Sequence, residues 1–488
     1  MAVQKRSVRG INHQSFELLT VVSKRRNSTV LLSLVMLGVF LITGGLGCKG
    51  LSSTEQAAIT PFTLEYWTVF DDVDALQKLA DKYRADRPYI NIVVRQLRSD
   101  ELYPRLVEAL AEDRGPDIVS LRNRSIKGFK SKLAPMPATL SDTTVQIIKG
   151  QLSSQTVVKS STRAAITLDQ LDREYVKAVK QDAVLDGKVY GLPLSFDNLA
   201  LYYNKDLLDR AGIPEPPTTW DEFQEAVKKI TKYDKQTGKI VQSGAALGGS
   251  TNVPGSDDLL YVLFRQSAVS FTSSDGYAAF NALGSGYQSG ADTASMSVMN
   301  FYTDFANQER DTYTWNDTLP NAFDAFSNGT LGFFFGFNYH TALLKARAPQ
   351  LNFGILPMLQ LNPEQPINTA NYWLDTVLAK SKHQKEAWAF IDYLTHSAVT
   401  KEYLEATNRP TALRVFIPAQ RDKTELNPFV SQALIAENWY RGSNYEAAVS
   451  VLNQMIKEWL LPIPDPNRVL EWRQEILNRG AARVNQTL

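Results

Sequence analysis

The stretch FTLEYWTVFDDVDALQKLADKYRADRPYINIVVRQLRSDELYPRLVEALAEDRGPDIVSL (residues 62–121) alternates between two hydrophobic periods, and that alternation decides the fold. FTLEYW (62–67) has the two-residue period of a strand, whereas residues 71–87 place Val73, Leu76, Leu79, Ala80 and Tyr83 on one helical face, with Asp71 or Asp72 as the cap. After Pro88, INIVVRQL (90–97) is a second strand. Residues 100–112 form a helix with Leu102, Leu106, Val107 and Leu110 inward, and DIVSL (117–121) follows the turn Arg114-Gly115-Pro116. This β-α-β-α-β order predicts an α/β fold whose mainly parallel sheet is flanked by helices, with ligands bound beyond the carboxyl ends of the strands. The glycine-rich dinucleotide fingerprint is missing after the first strand, where Tyr66-Trp67-Thr68-Val69-Phe70 stands. The expectation is a crevice without a cofactor.

Farther along, residues 125–185 are mixed and rich in Ser, Thr and Lys, and read as loops with two or three short helices before a turn at Asp186-Gly187. KVYGLPLSFDNLALYYN (188–204) is too apolar for a surface loop, and KDLLDRAGI (205–213) is a short helix ended by Gly212. Beyond Pro214, Pro216 and Pro217, Thr218 or Thr219 caps a helix over 220–232 with Trp220, Phe223, Val227 and Ile230 inward. Gly and Ser residues at 243–256 and 272–290 mark loops around a helix at 257–268. Further helices fit 295–309, 319–328 and 384–395, and GTLGFFFGF (329–337) and LNFGILPM (351–358) fit strands. The C-terminal stretch with Trp439, Val449, Leu452, Ile456 and Trp459 reads as helical.

The chain has 488 residues, enough for about two to four domains. At 44% hydrophobic and 21% charged it is globular in composition. Its net charge of +1 conceals an asymmetry: Lys5, Arg6, Arg9, Lys24, Arg25 and Arg26 against Glu17 give the first 47 residues +5, which leaves −4 for the rest. A slightly acidic body lacks the basic surface that nucleic-acid binding needs. TVLLSLVMLGVFLITGGL (29–46) is an uncharged apolar run after Lys24-Arg25-Arg26, and it ends in small residues before Cys48, the sole cysteine. That is the layout of an export signal, although the run is also long enough for an uncleaved membrane anchor. Leu46-Gly47-Cys48 resembles the bacterial lipobox, whose cysteine is acylated and becomes the new N-terminus. Residues 1–47 therefore read as a lipoprotein-type signal segment, Cys48 as the lipidation site and 48–61 as anchor and tether. The expected location is the outer face of the cell membrane.

Signatures of catalysis are scarce. HExxH, CxxC, GxSxG and phosphate-loop patterns are absent, and the chain has four histidines, His13, His340, His383 and His396. No two of the 51 acidic residues stand out as a glycosidase pair. The reading is a non-enzyme without a metal site. Aromatics do stand beside carboxylates and amides at strand ends: Tyr66-Trp67 with Asp71, Phe196-Asp197-Asn198, Phe337-Asn338-Tyr339, and Asn371-Tyr372-Trp373 with Asp375. Sugar rings offer C–H groups to aromatic faces and hydroxyls to Asp, Asn and Arg. A single strand-end aromatic is more often core packing, but four such clusters favour a polar, ring-shaped ligand.

Asp186-Gly187-Lys188-Val189-Tyr190-Gly191-Leu192-Pro193, then Leu201-Tyr202-Tyr203-Asn204-Lys205-Asp206-Leu207, then Ala211-Gly212-Ile213 and Pro216-Pro217-Thr218-Thr219-Trp220-Asp221-Glu222-Phe223, together resemble the signature of family 1 extracellular solute-binding proteins, the sugar-type receptors of ABC importers. Ala325–Phe333, Gly354–Pro357 and Lys385–Thr395 are similar to the family's later segments, so the resemblance covers roughly residues 60–420. It implies the two-lobe, type II periplasmic-binding-protein-like fold, with lobe 1 as 62–197 plus 373–425 and lobe 2 as 198–372 plus 426–488. The chain would cross near Phe196–Leu201 and return near Thr369–Asp375. Trp67, Thr68, Asp71, Ser120 or Arg122, Asp197, Phe337, Tyr339, Trp373 and Arg409 would then face the cleft. These carry over as positions, because ligand residues vary across the family. The resemblance further implies a monomeric receptor that closes on a mono- or oligosaccharide and presents it to the membrane subunits of an ABC permease. The rivals are a receptor for another polar solute such as a peptide or polyamine, a surface carbohydrate-active enzyme, and a ligand-free envelope protein whose cleft is blocked by the Phe333–Phe337 aromatics.

Overall fold

The computed structural model describes residues 51–149, 154–273, 275–284 and 290–488. The apolar run 29–46 and Cys48 lie outside these residues. In chain order the strands are β1 (Phe62–Thr68), β2 (Ile90–Gln96), β3 (Ile118–Arg122), β4 (Leu133–Ala134), β5 (Thr139–Lys149), β6 (Ser154–Ala164), β7 (Val184–Leu185), β8 (Lys188–Val189), β9 (Ala200–Asn204), β10 (Lys232–Tyr233), β11 (Ile240–Ala245), β12 (Leu331–Gly336), β13 (Phe353–Pro357), β14 (Asn368–Thr369), β15 (Trp373–Leu378) and β16 (Ala436–Glu437). Ten of them build two five-stranded sheets, each the floor of one lobe, and the other six pair as β5-β6, β7-β8 and β14-β16.

The first sheet has the order β2-β1-β3-β15-β4. β1 runs parallel to β2 and β3, while β15 runs antiparallel to both of its neighbours. The helix Val73–Ala85 buries Leu76, Leu79, Ala80 and Tyr83, and Asp72 caps it by accepting the Ala75 N–H at 2.8 Å. In the next helix, Ser99–Ala111, the buried stripe is Leu102, Leu106 and Leu110. Val107 is turned outward and 58% exposed, a correction to its expected inward placement, because a four-residue spacing of leucines already fills the stripe and the adjacent residue lies about 100° away.

The second sheet has the order β10-β11-β12-β9-β13, with only β11 and β12 parallel. The α/β class holds, and both sheets are mixed where mainly parallel ones were expected: each takes in an antiparallel strand arriving from the other lobe, β15 in the first and β9 in the second, and β10 adds an antiparallel edge beside β11. Every residue of β12 is buried, which accounts for its run of phenylalanines. Phe333 and Phe335 pack on Phe223 of the helix Trp220–Ile230, while Phe334 packs on Tyr202 and Phe326. These rings fill the lobe's core and do not block a cleft. The same core continues into the C-terminal helices Tyr445–Leu460 and Val469–Asn485 through Leu452, Ile456, Trp459 and Leu477.

Adjacent chain segments connect the sheets. Leu192 and Asp375 of β15 exchange backbone hydrogen bonds at 2.9 and 3.2 Å, after which the first segment runs on to β9. The return segment runs antiparallel beside it: Asn198 bridges Ala370, and the Asn371 N–H donates to the Asp197 carbonyl at 2.9 Å. β16 pairs with β14, and the Ala370 N–H donates to the Glu437 carbonyl.

Residues 125–185 hold the expected short helices, Ile126–Phe129, Leu168–Glu174 and Lys177–Ala183, and also the long ribbon of β5 and β6, which was not expected and whose strands pair with each other and with neither large sheet. Its rows of Thr, Ser and Val favour extended backbone, but both faces are largely solvent-exposed, so no alternation of polar and apolar residues announced it. Residues 51–60 and 143–160 form a unit separate from the remainder. Within 51–60, Ser52 and Glu55 form a capping box on a short helix, Ser53–Ala58, in what reads from sequence as a plain tether.

Candidate binding cleft

β1 ends in a loop that carries Phe70 out of the first lobe, and the Arg409 guanidinium donates to the Phe70 carbonyl to hold that loop. The Phe70 ring lies 4.6 Å from Tyr339 and 5.5 Å from Trp373. Tyr339 opens the helix Tyr339–Arg347 directly after β12, and Trp373 opens β15 directly after the return crossing. Three aromatic rings from a strand-end loop, a helix start and a crossing thus meet where the lobes face each other. Phe337 stacks on Tyr339 with centroids 6.0 Å apart and planes 14° apart. Beside them is a pocket of about 170 Å³, lined by Arg122, Asp257, Asp258, Phe337, Tyr339 and Tyr445 among others. Its size is below the roughly 300–1,000 Å³ usual for small-molecule sites.

The structure sorts the sequence-derived positions into two groups. Tyr339, Trp373 and Phe337 come together as described, with Arg409 holding the loop between them. Thr68, Asp71 and Ser120 lie instead in a buried network inside the first lobe. Asp71 accepts from the Thr68 hydroxyl, from Tyr403 at 2.8 Å and from Ser120 at 3.3 Å. Ser120 also donates to Asp375, which accepts from Tyr66 at 2.6 Å. Burial and the nearby Asp71 carboxylate push the Asp375 pKa up to about 7. Trp67 is 6% exposed, and its indole N–H has no hydrogen-bond partner among the described residues.

Asp197 occupies the first crossing. Its carboxylate accepts the backbone N–H groups of Asn198 (2.9 Å), Asn338 (2.8 Å) and Tyr339 (3.3 Å). It thereby caps the helix Tyr339–Arg347, whose own N-cap residue, Asn338, makes no side-chain capping bond. Burial raises its pKa to about 7 in spite of these donors.

Sequence reasoning missed the buried charges beside the pocket. Arg124, just past β3, is 1% exposed and forms ion pairs with Asp257 and Asp258 at the start of the helix Ser256–Gln266 in the second lobe. Arg124 also donates to Tyr445 at 2.8 Å and to Thr369 at 2.9 Å. Burial and the adjacent Asp258 raise the Asp257 pKa, with Arg124 opposing. Arg122, considered from sequence beside Ser120, donates to Asn371 at 2.9 Å and lies over the Tyr445 ring. The available signal was Gly255-Ser256-Asp257-Asp258, an acidic helix start after a glycine-rich loop. Nothing in the sequence links it to Arg124, 133 positions away.

Among the described residues no group of three or more His, Cys, Asp or Glu could hold a metal ion, and no helix is long and apolar enough to cross a membrane.

A cleft between two mixed α/β sheets, with paired crossing strands behind it, defines a two-lobe binding protein. The profile of the bacterial extracellular solute-binding proteins matches residues 69–401, and the chain belongs to that family. It is 24% identical over 272 residues to a binding protein of Brucella abortus, an alignment of 55% of this chain and 60% of that one. The chain thus spans less than two thirds of the length of that relative. It is 26% identical over 253 residues to the multiple sugar-binding protein of Streptococcus mutans, covering 51% and 56% of the two chains. The crystal structure of a cyclic α-maltosyl-1,6-maltose binding protein from Arthrobacter globiformis superposes with a TM-score of 0.63 at 19% identity, over 88% of this chain and 99% of that one. At that identity the likeness is one of fold.

Proposed function

We propose that the protein is the extracytoplasmic receptor of an ABC importer and closes its two lobes on a mono- or oligosaccharide. The observation that carries this reading is the meeting of Phe70, Tyr339 and Trp373, drawn from both lobes and a crossing, beside a pocket with charged and hydroxyl-bearing walls. Aromatic faces suit the C–H face of a pyranose, and Arg122, Asp257 and Tyr445 suit its hydroxyls. The names of its relatives, sugar-binding in Streptococcus mutans and maltosyl-maltose-binding in Arthrobacter globiformis, support the same ligand class. No bond is broken. Binding works by differential affinity, because contacts to both lobes exist only in the closed form.

In this reading lobe 1 comprises 62–197 plus 373–425 and lobe 2 comprises 198–372 plus 426–488. Cys48 carries the lipid after loss of 1–47, residues 48–61 tether a monomer to the outer face of the membrane, and the membrane subunits of a permease take the sugar. Trp67, Thr68, Asp71, Ser120, Asp197, Phe337, Tyr339, Trp373 and Arg409 serve the cleft: Phe337, Tyr339 and Trp373 as its surface, Arg409 and Asp197 by fixing its loops, and the remainder as the support beneath β1 and β3.

The test is a thermal melt against mono- and oligosaccharides, amino acids and polyamines. A true ligand at about a hundred times its Kd adds about 2.7 kcal/mol to the folded state. A shift with one sugar class and no turnover is the expected result. A shift with amino acids or polyamines alone overturns the sugar assignment.

A further inference from the structure

None of the cleft residues named above belongs to the ribbon of β5 and β6. We propose that its distal half is a membrane-contact element that rests on the lipid headgroup layer and orients the tethered receptor; this rests on the reading of the chain as a membrane-anchored receptor.

Polarity changes along the ribbon. Its base carries Ser141, Asp142, Thr143, Ser160, Ser161 and Thr162, with cross-strand hydroxyl pairs Ser141–Thr162 at 3.3 Å and Thr143–Ser160 at 2.9 Å. Toward the tip come Val145, Ile147, Ile148, Val157 and Val158, with Ile147 and Ile148 55% and 54% exposed. Side chains alternate across a strand, so Ile147 and Ile148 leave from opposite faces. A protein groove would cover one face of a ribbon, whereas a fluid interface wets both. Between residues 143 and 160 the sequence has Lys149 and Lys159 and no carboxylate, a balance suited to anionic headgroups, with lysine stems lying along apolar surface and ammonium groups in water.

The attachment of the ribbon is consistent with this. Arg87, three residues before β2, holds Asp142 through a bidentate ion pair whose Nε bond is 2.7 Å, and Arg163 pairs with Asp392. The Phe62 N–H, at the start of β1, donates to the Tyr89 carbonyl at 3.0 Å. Asp142, from which the ribbon leaves, and Phe62, where the chain enters β1, are therefore both held by the turn that precedes β2. An open two-stranded ribbon keeps unpaired backbone groups along its edges, so it suits the hydrated headgroup layer and not the hydrocarbon interior.

The test is electron paramagnetic resonance on the full-length protein reconstituted in phosphatidylglycerol–phosphatidylcholine vesicles, with a nitroxide at Ile148→Cys, a reference at Val415→Cys, and unsubstituted protein to measure any signal from Cys48. Val415 is 68% exposed and lies outside the ribbon, in the short helical turn Arg414–Phe416. The expected result is a several-fold rise in the ratio of oxygen to nickel-chelate accessibility at 148 on going from detergent to vesicles, with no change at 415. A water-like ratio at both sites in vesicle-bound protein overturns the membrane contact and leaves the anchored receptor standing. A change at 148 that needs permease-containing membranes overturns it in favour of a protein partner. Protein that does not float with vesicles overturns both readings.

Discussion

Trp373 and Asp375 are two positions apart on β15 and do unrelated work. Trp373 is half-buried and offers its ring to the cleft. Trp373→Ala is expected to weaken sugar binding by about 1–3 kcal/mol by calorimetry, with the melt of the free protein unchanged. Asp375, 2% exposed, is a proton store. Its pKa rises from 3.8 to about 7 on folding, so between those values the folded chain holds a proton that the unfolded chain has released. Its contribution is present at low pH and is lost as the pH climbs through about 7. Asp375→Asn, shaped like the protonated acid, should flatten the stability profile between about pH 4 and 7 by up to about 1.4 kcal/mol per pH unit. An unchanged slope would place the titrating proton elsewhere. His340 acts in the opposite sense: burial lowers its pKa to about 3, so its part of the stability grows as the pH rises toward 6.5.

Among the elements, the helix Tyr339–Arg347 has its N-terminus fixed by a residue 141 positions earlier in the chain. Asp197→Ala frees the Asn338 and Tyr339 N–H groups together and should cost about 1–2 kcal/mol in urea unfolding. Asp197→Asn, which keeps an acceptor, should recover most of it. Sugar affinity should fall in parallel, because Tyr339 is the first residue of that helix. Element legibility followed burial. β1, β2 and β3 could be read because each has one pattern of packing, and β12 because a strand covered on both faces is almost wholly apolar. The β5–β6 ribbon could not be read, because a strand with two wet faces has no period to detect. In the cleft, Trp373, Phe337 and Tyr339 were visible as aromatics beside amides. Phe70 was hidden in an ordinary apolar run, and Arg124, Asp257 and Tyr445 were hidden by distances in sequence that no spacing rule connects.

At the scale of the molecule, the lobes meet closely at a small residue. A Cβ on Gly128, in the short helix Ile126–Phe129 of the first lobe, would come within 2.3 Å of the Ser443 carbonyl oxygen beside the second lobe's core. The obstacle is backbone, which cannot rotate aside. Gly128→Ala should therefore wedge the lobes apart and lower sugar affinity about tenfold, as expected when the binding-competent state becomes a minor one. Small-angle scattering should show a larger radius of gyration for the variant at sub-saturating sugar, and identical curves for variant and parent would remove the wedge.

The paired crossing strands have a mechanical consequence. Two segments held rung by rung, as at Asn198–Ala370 and Asp197–Asn371, behave as a leaf spring: they bend readily but do not slide past each other. Opening is then a swing and not a shear, and Phe70 and Trp373, both carried by the first sheet, travel together. Half of the landing surface thus survives with the jaws apart, and the second lobe brings Tyr339 down as a latch. A solute finds the standing half first, so Tyr339→Ala should speed release in stopped-flow measurements and leave the capture rate as it was. The open form decides how quickly the receptor loads, and the closed form decides how long it keeps its cargo.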